Sequence, residues 1–78
     1  MKKYNEDKNY YYNIIRKNIN KYRIEKGISQ KMLANKIGYS ESYIKEIESF
    51  SKNKSFSIVV LGRIADVLEI DIKKFFEL

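Results

Sequence analysis

Gly38 separates two short stretches of helical periodicity, and that punctuation constrains the fold more than any other feature of the chain. On its N-terminal side Ser29 precedes a segment, 30–37, whose apolar positions Leu33, Ala34 and Ile37 share one face. On its C-terminal side Ser40 precedes a second segment, 41–49, that turns Ile44 and Ile47 to one side. Serine accepts a hydrogen bond from an amide of the first helical turn, so each segment carries its own start signal. Glycine adopts the left-handed backbone that a tight turn between two helices needs. Ala34 is small where two helix axes approach closely. The pattern predicts two short helices packed crosswise.

The rest of the chain reads as helix with short connections. There is no proline, no internal repeat and no strand-like alternation in the 78 residues. Asn5, followed by Glu6 and Asp7, is the expected cap of a first helix. Its buried stripe is Tyr11, Ile15, Ile19 and Tyr22, with Ile14 beside it, and Gly27 is its stop. Residues 1–9 read as an N-terminal arm or first turn, and 10–78 as one domain. Ser49 to Ser55 is a polar loop. Ser57 caps a fourth helix, 58–69, with Ile58, Leu61, Ile64, Ala65 and Leu68 inward. Asp71 caps a last short helix ending in Phe75, Phe76 and Leu78. The expected architecture is an all-α bundle of five helices.

Composition excludes much chemistry. The chain has no cysteine and no histidine, which removes disulfides, thiolate zinc sites, cysteine nucleophiles and the usual general base. No glycine-rich phosphate loop or converging carboxylate pair is present, so an enzyme is not expected, and neither is a cofactor or a metal. The longest apolar run, Ile58 to Leu61, is four residues against the ~20 that span a bilayer. The N-terminus has the wrong pattern for a secretory signal. A cytoplasmic protein without membrane contact is the expectation.

The formal net charge is +6. Lys, Ile, Asn and Tyr supply half of the residues, a bias that an AT-rich genome imposes on any protein. The distribution says more than the total. Residues 1–39 carry ten Lys/Arg against three Asp/Glu, or +7, and residues 40–78 carry six against seven, or −1. One basic face toward a polyanion such as nucleic acid is implied.

The signature Ser-Gln-x-x-Leu-Ala-x-x-Ile-Gly-x-Ser over residues 29–40, with Ile44, Ile47 and Glu48 behind it, resembles the XRE family of helix-turn-helix proteins, the Cro and cI-repressor-like DNA-binding domains. Ile19, Tyr22, Arg23 and Gly27 match before it; Leu61, Ile64-Ala65, Leu68 and Ile70-Asp71-Ile72 match after it. The resemblance covers residues 14 to 77 and implies a lambda-repressor-like fold, with helices 2 and 3 forming the helix-turn-helix. It also implies a structural salt bridge between Arg23 and Glu48, tying helix 1 to the end of helix 3. Three departures stand out. Met32 replaces the glutamate of a capping box, Phe50 stands where glycine is frequent, and the loop before helix 4 is about two residues longer, with Phe56 for its proline.

In that family helix 3 lies in the major groove. With Ile44 and Ile47 committed inward, a 100° step per residue leaves Glu41, Ser42, Lys45, Glu46 and Ser49 facing outward as base-reading candidates. Lysine donates to guanine and glutamate accepts from cytosine N4. Glu41 and Lys45 also form an ordinary i, i+4 surface pair. Backbone-phosphate candidates are Gln30 at the start of helix 2, Lys31, Tyr43, and the loop donors Lys52, Asn53 and Lys54. The alternative for the loop lysines is simple solvation, and for Tyr43 a ring packed on the turn. Tyr10, Tyr11 and Tyr12 invite base stacking, but packing of one or two of them on the core is the better reading.

The Phe75, Phe76 and Leu78 cluster suits a dimer seam, which would set two recognition helices about 34 Å apart. The sequence therefore reads as a sequence-specific double-stranded DNA-binding regulator, a repressor acting as a homodimer on an inverted-repeat operator at the nucleoid. The competing reading is a helix-turn-helix module for a protein partner, an antitoxin or adaptor. It draws on residues 40–50, which carry a net −2 on the helix meant to approach phosphates.

Overall fold

The computed structural model describes Asp7 and residues 9–78, and every regular element in it is helical. In chain order these are α1 (Asn9–Lys26), α2 (Gln30–Ile37), α3 (Glu41–Glu48) and α4 (Ile58–Leu68), followed by a 3₁₀ segment, Ile72–Phe76. The expected fifth α-helix is thus a single 3₁₀ stretch. Asp71 does cap it, accepting from the Lys73 amide at 3.0 Å. The segment's C-terminal end is tied to α1: the buried Asn18 side-chain amide donates to the carbonyls of Phe75 (2.9 Å) and Glu77 (2.8 Å).

The start and stop signals act where the sequence puts them. Ser29, Ser40 and Ser57 each accept from the third amide beyond, at 3.0–3.1 Å. Gly27 and Gly38 stand at φ +79° and +81°. After Gly38 the Tyr39 amide returns to the Ala34 carbonyl at 2.9 Å. Asp7 accepts from the Asn9 amide at 2.9 Å; the expected Asn5 cap lies outside the described residues. α4 stops at Leu68, and Glu69 takes the left-handed position itself at φ 58°.

Gly38→Ala isolates this conformational demand. No heavy atom lies within 4 Å of an added Cβ, so the only cost is the left-handed backbone, about 1–2 kcal/mol. Chemical denaturation of the variant should show that loss with an unchanged m-value.

The core is one cluster: Ile15 and Ile19 from α1, Leu33, Ala34 and Ile37 from α2, Ile44 and Ile47 from α3, Val60, Leu61, Ile64, Ala65 and Leu68 from α4, and Phe75. α2 packs on α3 and α4, while α1 runs across α3, α4 and the 3₁₀ segment. Two expected inward positions turn out exposed. Tyr11 is 61% and Ile58 65% accessible. Both belong to the first turns of their helices, where no third element covers them. They instead border a shallow apolar groove lined with Tyr12, Ile15, Phe56, Leu61 and Phe76. Val60, not Ile58, fills the core at that end of α4. Phe75 is wholly buried, which leaves it no surface for a partner and removes it from any dimer seam; Phe76 and Leu78 stay exposed. Among the described residues no helix is long and apolar enough to cross a membrane.

Candidate nucleic-acid interface

α3 is held by its apolar side and presents its polar side. Ile44 and Ile47 are fully buried against α1 and α2, while Glu41, Ser42 and Lys45 are exposed and Glu46 is half-buried. Ser49 lies past the helix end, in extended backbone at φ −90° and ψ 124°. Its hydroxyl pairs with that of Ser51 at 3.0 Å, so it belongs to the loop and not to the helix face.

The C-terminal end of α3 is anchored by Glu48, whose side chain is 4% accessible. Arg23 donates to it twice, from Nε at 2.7 Å and from Nη2 at 2.9 Å. The same carboxylate accepts from Asn20 at 2.9 Å and from Gln30 at 3.1 Å. Burial pushes the Glu48 carboxyl up; the hydrogen bonds from Arg23, Asn20 and Gln30, with the Arg23 charge, outweigh it and leave it below the usual carboxylate range. The Arg23–Glu48 pair that the family resemblance implies is the centre of a four-residue cluster joining α1, α2 and α3. Gln30, a candidate phosphate donor, spends one of its amide protons inside that cluster.

The acidic character of α3 is offset from outside the helix. Glu41 lies 3.8 Å from Lys45, Glu46 lies 3.4 Å from Lys54, and Glu48 is paired with Arg23. Counting Lys54 and Arg23 with Glu41, Lys45, Glu46 and Glu48 gives three cations and three anions. The expected net −2 thus becomes neutral in the folded protein. Lys54 also stands 5.6 Å over the Tyr43 ring, and Tyr43 stacks on Tyr39 with centroids 4.5 Å apart. Burial, and secondarily Tyr39, raise the Tyr43 hydroxyl pKa. Lys31, Lys52 and Asn53 are exposed.

Arg16 carries no role in the sequence reading above. It is fully buried, and its guanidinium donates to the carbonyls of Ile47 at 2.8 Å and Lys54 at 3.1 Å, with Ser49 at 3.5 Å, and to Asn13 at 2.9 Å. Its only sequence signal is a position beside Ile15 in the buried stripe of α1, shared by any cation at the edge of a helix face.

Set beside solved structures, this arrangement has close counterparts. The restriction-modification controller protein C.AhdI from Aeromonas hydrophila superposes with a TM-score of 0.81 at 25% identity, over 91% of this chain and 100% of its own. The hypothetical transcription factor NHTF from Neisseria gives 0.78 at 19% identity, over 99% of this chain and 86% of its own. No curated protein sequence matches the chain at a significant level. A family profile described as helix-turn-helix matches residues 19–75. The chain belongs to this XRE-type helix-turn-helix family. It is accordingly a DNA-binding transcriptional regulator. The helix-turn-helix match begins at Ile19, so Asn13, Arg16 and Asn18, which brace the loop and the 3₁₀ segment, stand outside it.

Proposed function

We propose that this helix-turn-helix protein is a sequence-specific regulator that sets α3 into the major groove of double-stranded DNA and represses transcription as a homodimer on an inverted-repeat operator. The observation that carries the reading is the two-sidedness of α3: Ile44 and Ile47 are wholly committed to the core while Glu41, Ser42 and Lys45 are held outward on a helix clamped at Glu48. Ser42 and Lys45 meet base edges, and Glu41 and Glu46 accept from cytosine N4 once Lys45 and Lys54 turn to DNA. Gln30, Lys31, Tyr43, Lys52, Asn53 and Lys54 serve the phosphates. Ser49 supports the end of the helix.

The dimer seam rests on Phe76 and Leu78, which are 50% and 92% exposed, beside the apolar groove between α1 and α4. Selection from a random duplex pool by the purified chain at about 0.1 M salt tests the reading. Enrichment of an inverted repeat with half-sites one helical turn apart is the expected result. A folded sample that enriches nothing moves the weight to a protein partner.

A further inference from the structure

We infer that Arg16 is a positioning residue for DNA binding: from inside the bundle it fixes the polar loop after α3 so that Lys52 and Lys54 stand beside the recognition helix. The inference rests on the DNA-binding reading above. A buried guanidinium is ordinarily matched to a carboxylate. The partners of this one are three backbone carbonyls and the Asn13 amide oxygen. The carbonyls it bridges are not neighbours. Ile47 lies in the last turn of α3, Ser49 is the residue that leaves the helix, and Lys54 is at the far end of the loop.

One planar fork thus joins the negative end of the α3 dipole to both ends of the loop. Between those ends the chain reverses through Asn53 in the left-handed region, at φ 51°. Phe56 then brings its ring to 5.8 Å from the guanidinium carbon, and Tyr12 packs edge-on against Phe56. The consequence appears outside. With its carbonyl pinned by Arg16, Lys54 reaches back to Glu46 at 3.4 Å and over Tyr43, both on α3. Lys52, two residues earlier, is exposed on the same loop. Without the fork no hydrogen bond among the described residues joins the loop to α1, and its two lysines lose their register with the helix they flank.

Arg16→Met tests this role. It removes a desolvated charge and keeps the apolar volume, but it leaves the carbonyls of Ile47, Ser49 and Lys54 without their donor, so the readout is the salt slope of the folded variant and not its stability. Binding of the full chain to its selected duplex, or to mixed-sequence duplex where selection yields no site, is measured from 0.05 to 0.2 M salt. Each phosphate contact contributes ~0.9 to the slope of log K against log salt. Arg16→Met should therefore lose about two from that slope. Lys52→Ala/Lys54→Ala should lose the same, and the triple variant no more than either.

Amide exchange of residues 50–56 in the free variant should quicken while that of α4 stays protected. Should Arg16→Met fail to fold, Arg16→Lys reads the same quantity, since one ammonium keeps the charge but not the fork. A folded Arg16 variant with the wild-type slope overturns the positioning role alone. A wild-type chain that binds no duplex overturns the functional reading, and the positioning role falls with it.

Discussion

Replacing Glu48 by alanine will cost the domain about 3–5 kcal/mol. The carboxylate is the common acceptor for Arg23, Asn20 and Gln30, so its removal strands donors from two helices at once. Arg23 keeps only its bond to the Ile28 carbonyl at 2.9 Å and remains in a site where it is 9% exposed. An unpaired buried charge, not the lost attraction itself, is the main source of the cost. For a small domain whose total stability is of order 5–15 kcal/mol, the variant sits at the edge of folding at room temperature.

The same carboxylate gives the protein an acid-labile component. Its folded pKa is held below the ordinary value, so its contribution is fully present above the unfolded pKa. That contribution is lost as pH falls through the folded pKa. Urea denaturation followed by circular dichroism at pH 7 and pH 3 should show a smaller acid loss in Glu48→Ala than in the wild type. Glu69, lowered by its hydrogen bond and ion pair with Lys26, titrates in the same direction and contributes equally to both chains. A Glu48→Ala protein within 1 kcal/mol of wild type at pH 7 would show that the cluster is ornamental. Lost DNA binding in that variant reports unfolding, because Glu48 itself faces inward.

The parts of this fold that were legible in advance are those decided within a few residues. Ser29, Ser40, Ser57 and Asp71 cap because the accepting oxygen and the donating amide belong to the same turn. Gly27 and Gly38 stop helices because their backbone alone is at issue. The core positions of α2 and α3 follow from helical spacing, since both helices are covered along their whole length. Tyr11 and Ile58 fit the same spacing and are exposed, because periodicity gives a face but not whether anything packs against its end.

Phe75 and Phe76 differ for a similar reason. They are adjacent and equally apolar, and the one that is buried belongs to the end of the 3₁₀ segment that Asn18 holds against α1. Long-range polar contacts were the least legible. Arg16 meets partners 31 to 38 residues away, and Asn20 meets Glu48 across 28. No local pattern marks an arginine or asparagine as the donor for a distant carbonyl. Arg23 and Glu48 were accessible only through the family resemblance. The pairing of Glu46 with Lys54 also depends on where the loop folds, and with the Arg23–Glu48 pair it cancels the charge argument built on α3 in isolation.

Ser42→Ala combined with Lys45→Ala will weaken operator binding while leaving the fold as stable as before. Both side chains are exposed on α3, and Lys45 has only the exposed Glu41 beside it at 3.8 Å. An exposed i, i+4 pair is worth ~0.3–0.5 kcal/mol, so the melting curve should hardly move. A lysine donating to both acceptors of a guanine edge is worth about 1–3 kcal/mol of discrimination, roughly 5- to 150-fold. The loss should therefore fall on the selected duplex and not on a scrambled one, and the salt slope should change little. Lys52→Ala is the contrasting variant, since a phosphate contact is lost equally from every sequence and takes ~0.9 from the slope. Competition between selected and scrambled duplexes, titrated at two salt concentrations, separates the two classes in one experiment. Should the folded double variant retain both the affinity and the preference of the wild type, the exposed face of α3 is not what reads the bases. The search would then turn to the Tyr39–Tyr43 stack and to the loop that Arg16 holds beside it.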